Sequence, residues 1–319
     1  MSRKIPLRRL VLWLLGIWLA GSAVFAVLYW QRQAPLGVDT IAAAPRRLAN
    51  EPPAFLGHLQ VPLEEALAEP LGVAVAEDGR VYVADSGNGL IKVFDAEGQY
   101  LLSFGGKGSG DGQLEYPTAV RVRNGRVYVA DLRNDRVAVF SGEGRFLLNL
   151  TRGQGQEPLA PLAVDVDEQG QIYIADRSHR VIVLDREGKF LRSFGRPGSD
   201  DGQLAYPNGL LLRGGKVYVA DSGNGRIQIF SPSGEFQGKL TGFVNPRGLA
   251  EDGQGRLYVV DPLAHMVSVF SREDIKQFTF GSRGLEGGKF NFPNGVAIDS
   301  RGRVYIADRE NDRISVWRE

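Results

Sequence analysis

The sequence predicts an all-β fold, a six-bladed β-propeller of four-stranded blades, preceded by one transmembrane helix. Three observations predict it. A short strand ending in aspartate recurs six times at intervals of 40 to 47 residues: VYVAD closing at Asp85, Asp131 and Asp221, IYIAD at Asp176, LYVVD at Asp261 and VYIAD at Asp308. Around each copy lie further short runs of alternating apolar residues separated by glycine-rich turns. Ahead of them all, residues 10–30 run 21 residues without a charge.

The elements follow in chain order. Residues 1–9 carry Arg3, Lys4, Arg8 and Arg9, whereas only Arg32 follows the apolar run closely. That bias places the basic tail in the cytoplasm and the rest of the chain outside. At 1.5 Å per residue the run 10–30 reaches roughly 30 Å, the thickness of a bilayer's hydrocarbon core. Trp13, Tyr29 and Trp30 stand near its ends, where aromatic belts form. The run exceeds the apolar core of a cleavable signal peptide and no small-x-small site follows it, which favours an uncleaved signal-anchor. Residues 31–53 lack periodicity, hold several prolines and read as a linker. The expected placement is a single-pass protein of the cytoplasmic (inner) membrane, its propeller outside and periplasmic if the cell is Gram-negative.

Residues 54–319 form the propeller. Each unit opens on a proline and a small apolar run, as in PLGVAV, PTAVRV and PNGVAI, and passes a turn such as EDGR before the aspartate strand. A third run then closes at Phe94, Phe140, Leu184, Phe230, Phe270 or Trp317. In the second unit the four runs are AVRV, RVYVAD, RVAVF and RFLLNL. Period-2 alternation with β-branched enrichment and turn punctuation makes these strands, and four strands in a repeat of this length make a propeller blade. The sixth unit supplies three strands, while PAFLGHLQVP at 53–62 resembles an outer strand. That segment is expected to complete the sixth blade and leave no open edge. GNGRIQIF, residues 223–230, has the look of a phosphate loop, but its equivalents GNGLIKVF and RNDRVAVF recur between strands. A phosphate loop occurs once and opens a helix.

On these motifs the chain resembles the NHL-repeat proteins. The family's Asn-His-Leu triplet, just past the aspartate strand, appears as Asn88-Gly89-Leu90, Asn134-Asp135-Arg136, Asn224-Gly225-Arg226, Ala264-His265-Met266 and Asn311-Asp312-Arg313, with only His179-Arg180 in the third unit. The resemblance implies loops that carry function, and animal-type members bind RNA or proteins through that face. Nucleic acid is not an expected partner here, because the predicted topology holds the propeller outside the cytoplasm and the formal net charge is only +1.

Chemistry-bearing residues are few. The chain has no cysteine, which removes thiolate metal sites and a cysteine nucleophile. The aspartates Asp85, Asp131, Asp176, Asp221, Asp261 and Asp308 obey the repeat, whereas catalytic groups break it. They are expected to accept N–H bonds in the following turn and to pair with the arginine five residues on, as Asp131 with Arg136 or Asp308 with Arg313. His58, His179 and His265 are too few and too peripheral for the zinc of the peptidyl-hydroxyglycine lyases, which resemble NHL propellers. Lactonase-type propellers place Glu, Asn and Asp around a central cation. Asn208 and Asn294 occupy equivalent places in blades four and six, but no partnering Glu is assignable. No catalytic residue, metal ligand or cofactor is assigned.

What remains is the face where first strands begin and aspartate strands end. There the sequence places Arg133, Arg177, Arg247 and Arg309 as charged donors, with Asn208 and Asn294 as hydrogen-bonding groups. The expected function is a membrane-tethered, extracytoplasmic module that binds a protein or peptide through this loop face. Two alternatives stay open: a metal-dependent lactonase or ester hydrolase with a central cation, and a structural subunit of an envelope complex. The closing outer strand must start on the opposite face, so the tether leaves from there and the loop face points away from the membrane.

Overall fold

The computed structural model describes residues 51–151 and 158–318. The expected basic tail, membrane helix and nearly all of the expected linker lie outside the described residues. Among those described, no helix is long and apolar enough to cross a membrane.

Six four-stranded antiparallel sheets follow one another around a ring. Blade 1 runs Pro70–Val75, Val81–Asp85, Leu90–Phe94 and Tyr100–Gly105 from the axis outward. Blades 2 to 5 occupy residues 117–150, 161–194, 207–240 and 249–280. Blade 6 takes three strands from residues 293–318 and its outer strand from Ala54–His58. That outer strand pairs antiparallel with Arg313–Arg318, setting Phe55 opposite Trp317 and His58 opposite Ser315. The expected closure by the N-terminal strand is therefore observed. Because Arg313–Arg318 leaves the loop face, its antiparallel partner begins at Ala54 on the far face.

The second strands are buried, as in Val81–Asp85, except at the exposed first residues Arg126 and Lys216, because neighbouring blades cover both faces of each sheet. The core is a series of seams between adjacent blades. Tyr82, Ile91 and Val93 of blade 1 pack with Val120, Val127 and Phe140 of blade 2, and Val73 and Val83 pack back onto Tyr305 and Ile314 of blade 6.

The proline-x-glycine motif sets the size of the axis. A Cβ added to Gly72 would lie 2.9 Å from Ala119 Cα, and at Gly209, Gly248 and Gly295 it would strike the carbonyls of Arg247, Asn294 and Leu71. First strands thus meet nearly backbone to backbone and enclose a channel of about 210 Å3.

Candidate functional site: the mouth of the ring

The repeated aspartates are buried fasteners. Asp85, Asp176, Asp221 and Asp308 accept from the N–H of Ala68, Ala160, Ala205 and Asn291 at 2.7, 2.7, 2.6 and 2.6 Å. Asp131 takes the N–H groups of Glu115 and Tyr116, and Asp261 those of Val244 and Asn245. These donors lie upstream, in the segment that leads into the same blade, rather than mainly in the following turn. That segment runs beside the end of the aspartate strand with its N–H groups facing the carboxylate. The following turn adds the amides of Asn88, Asn134, Asn224 and Asn311 and the backbone of Ser178 and Ala264. Burial pushes the Asp85 and Asp308 carboxyls up in pKa, against the pull of these partners.

Arg136, Arg226 and Arg313 pair with their aspartates at 3.3, 2.7 and 2.7 Å. Each also grips the glycine-rich loop between blades. Arg313 donates to the carbonyls of Leu285, Glu286 and Lys289 at 2.8, 3.1 and 2.8 Å. These arginines hold loops and are not offered to a ligand.

The histidines do two separate jobs. His179 Nδ1 accepts the Tyr206 N–H at 3.0 Å and His265 Nδ1 the Phe292 N–H at 3.2 Å, each ring edge-on to that aromatic at 4.8 Å. Asp312 does the same for the Glu69 N–H at 2.9 Å. In these three units the middle residue of the triplet is therefore a latch onto the next blade, and the latched residues Glu69, Tyr206 and Phe292 all take φ near +50°. His58 is 3 % exposed in the closing strand. Burial, with Arg313 adding to it, pushes its pKa down to about 3. Among the described residues no three His, Asp or Glu side chains are grouped so as to hold a metal ion.

The mouth itself carries an asymmetric network. The Glu69 carboxylate accepts from Arg309 at 3.0 Å and from the Tyr116 hydroxyl at 3.2 Å, and the Arg133 guanidinium lies over the Tyr116 ring at 4.5 Å. Blades 6, 1 and 2 are joined in this way. The Arg309 hydrogen bond holds the Glu69 carboxyl below the usual carboxylate range, burial opposing it. Half-buried Arg247 makes one side-chain hydrogen bond, to Asn245 Oδ1 at 3.1 Å. Burial and the charge of nearby Arg309 pull its pKa down, with Tyr116 opposing. Asn208, which donates to the Tyr206 carbonyl at 3.0 Å, and Asn294 both line the channel. Arg177 is exposed on blade 3, outside the network.

The structure thus draws Arg133, Arg309 and Arg247 toward one another, sets Asn208 and Asn294 at the channel, and leaves Arg177 apart. Sequence reasoning missed Glu69 and Tyr116. Both directly precede a blade's first proline, and Glu69 is the only carboxylate at that position in six units, a break in symmetry that was readable. It also missed an apolar patch on the same face, where Tyr206, Val244 and Leu263 are 56, 60 and 53 % exposed.

These features define a six-bladed propeller whose mouth carries both arginines and exposed apolar side chains. The model of the NHL repeat matches residues 67–94, 204–230 and 290–317, within or leading into blades 1, 4 and 6. The six-bladed β-propeller thus carries NHL repeats at these positions. It is 35% identical over 133 residues to the protein brain tumor of Drosophila melanogaster, a stretch that spans 40% of this chain and 13% of the fly protein. Among solved structures it is similar to a gluconolactonase from Xanthomonas campestris, at 17% identity and a TM-score of 0.62 over 86% of this chain and 98% of that one. A streptogramin B lyase matches at 13% identity and a TM-score of 0.61, over 80% and 95%. At these identities the two structures share the fold alone.

Proposed function

We propose that this propeller is a membrane-tethered binding module that takes a segment of a partner protein on its mouth and performs no chemistry itself. The observation that carries the reading is the mouth's inventory. Arg133, Arg177 and Arg247 have no carboxylate within ion-pair distance among the described residues, and Tyr206, Val244 and Leu263 stand exposed on the same face. The channel beneath is narrow and walled by close-packed backbone, so the accessible chemistry is that of a surface. The tether rests on the apolar run at 10–30, and the start of the closing strand at Ala54 has it leave from the far face.

The test is capture of partners from an envelope extract on the full detergent-solubilised chain. It runs beside the triple variant Arg177→Ala, Arg247→Ala, Arg309→Ala and the far-face variant Lys216→Ala. A protein held by the parent and by Lys216→Ala but lost by the triple variant supports the reading; equal retention by all three overturns it. The hydrolase reading keeps one observation, the two asparagines that line the channel. A stoichiometric divalent ion in the purified chain, lost in Asn208→Ala, would favour it.

A further inference from the structure

We infer that Arg247 anchors a carboxylate of an acidic peptide segment, seated over the channel between Arg247 and the Arg309–Tyr116–Arg133 side of the mouth. This rests on the mouth being the binding face and names the ligand chemistry that the face reads.

In a ring of six, blade 5 stands across the axis from blade 2. Arg247 opens blade 5 and Tyr116 leads into blade 2, yet Tyr116 and Arg309 both act electrostatically on the Arg247 guanidinium. Arg247 directly precedes Gly248 and Leu249, which line the channel, so it stands at the channel's rim. Among the described residues the guanidinium's only hydrogen-bond partner is a neutral amide, and a half-buried cation with a second cation nearby is in an unfavourable field that one carboxylate would reverse. Glu69 shows that a carboxylate suits this surface, because its own sits on Arg309 and Tyr116. Of the carboxylates in this network, Glu69 and Glu310 lie on Arg309 at 3.0 and 3.6 Å, and Asp312 holds the Glu69 N–H at 2.9 Å. Arg247 and Arg133 are left to a ligand.

Two features select a peptide over a phosphate polymer. Glu69 and Glu310 keep the mouth's field modest, which suits a singly charged group better than a chain of phosphates. The exposed Tyr206, Val244 and Leu263 on blades 4 and 5 offer apolar contacts to side chains flanking the carboxylate. The carboxylate comes from an Asp or Glu side chain or from a chain terminus, and the probes separate the two.

The experiment is fluorescence anisotropy on the full chain in detergent with three labelled hexapeptides. One has internal Glu residues and an amidated end, one has Gln in place of Glu with a free C-terminal carboxylate, and one has Gln and an amidated end. The inference expects one or both carboxylate peptides to bind about 10-fold or more tighter than the neutral one. Arg247→Gln should abolish that preference, Arg247→Lys should retain part of it, and Arg186→Gln on the far face should leave it intact. Glu69→Gln, which releases Arg309, should strengthen carboxylate binding and serves as the readout if Arg247→Gln does not fold. Equal binding of the three peptides, no binding, a preference that survives Arg247→Gln, or stronger competition by inorganic phosphate than by acetate would each overturn the inference. If partner capture falls with the triple mouth variant while the peptide preference is absent, the binding face stands and this inference alone fails.

Discussion

On the face opposite the mouth, Arg80, Arg213, Arg256 and Arg303 each meet a carboxylate, Asp78, Asp274, Asp252 and Asp299, at 2.7, 2.5, 2.6 and 2.6 Å. Each guanidinium also lies over a tyrosine ring, those of Tyr82, Tyr218, Tyr258 and Tyr305. On the mouth, Arg247 has only an asparagine, Arg133 a tyrosine face and Arg309 a glutamate from another blade. These far-face arginines staple the structure, as Arg136, Arg226 and Arg313 do beside the repeat aspartates, whereas Arg247 and Arg133 make no ion pair among the described residues. The difference lies in whether the carboxylate belongs to the repeating turn. Where a buried arginine has such a partner, removing it strands the partner's charge; where it has none, removing it strands nothing.

The largest effect expected from this contrast is at Arg213. It also bonds the Tyr218 hydroxyl and the carbonyls of Gly255, Ser271 and Arg272, so Arg213→Ala should cost on the order of 3 to 5 kcal/mol in denaturant unfolding. Arg247→Ala should cost less than about 1 kcal/mol in the same assay. Comparable losses would erase the distinction between the faces.

Acid should act next, and at the closing strand rather than at either face. The folded-state pKa of His58 lies near 3, below the 6.5 of an unperturbed histidine. Its contribution to stability is therefore complete above pH 6.5 and is lost as pH falls from there toward 3. At about 1.4 kcal/mol per unit this amounts to about 3 kcal/mol at pH 4. Unfolding measured across pH 7 to 4 should show a shallower decline for His58→Gln than for the parent. An unchanged slope would remove His58 as the cause.

A smaller effect is expected at Glu69. Its pair with Arg309 is partly exposed, so Glu69→Gln should shift stability by less than about 1 kcal/mol. In binding it should act in the opposite sense to Arg247→Gln, as the peptide titrations above would register.

Much of this architecture was legible before any coordinates. The aspartate strands, the turns and the closing strand are local patterns repeated in register, and a mistaken assignment in one unit is corrected by the others. The pairing of Asp131 with Arg136 and of Asp308 with Arg313 was visible for the same reason. The direction from which those aspartates receive N–H bonds was not, because the donors sit 15 to 17 residues upstream in most blades. The histidine latch was equally hidden, since His179 and His265 act on residues 27 positions ahead.

By itself the sequence determined the number of blades, the strands in each and the segment that completes the ring, because alternation and turn chemistry are properties of neighbouring residues. Only the tertiary structure decided which arginines are satisfied. Glu69 and Arg309 stand 240 residues apart in the chain and meet at 3.0 Å because closing the ring brings blade 6 against blade 1. No local pattern encodes that meeting, and the character of the mouth follows from it.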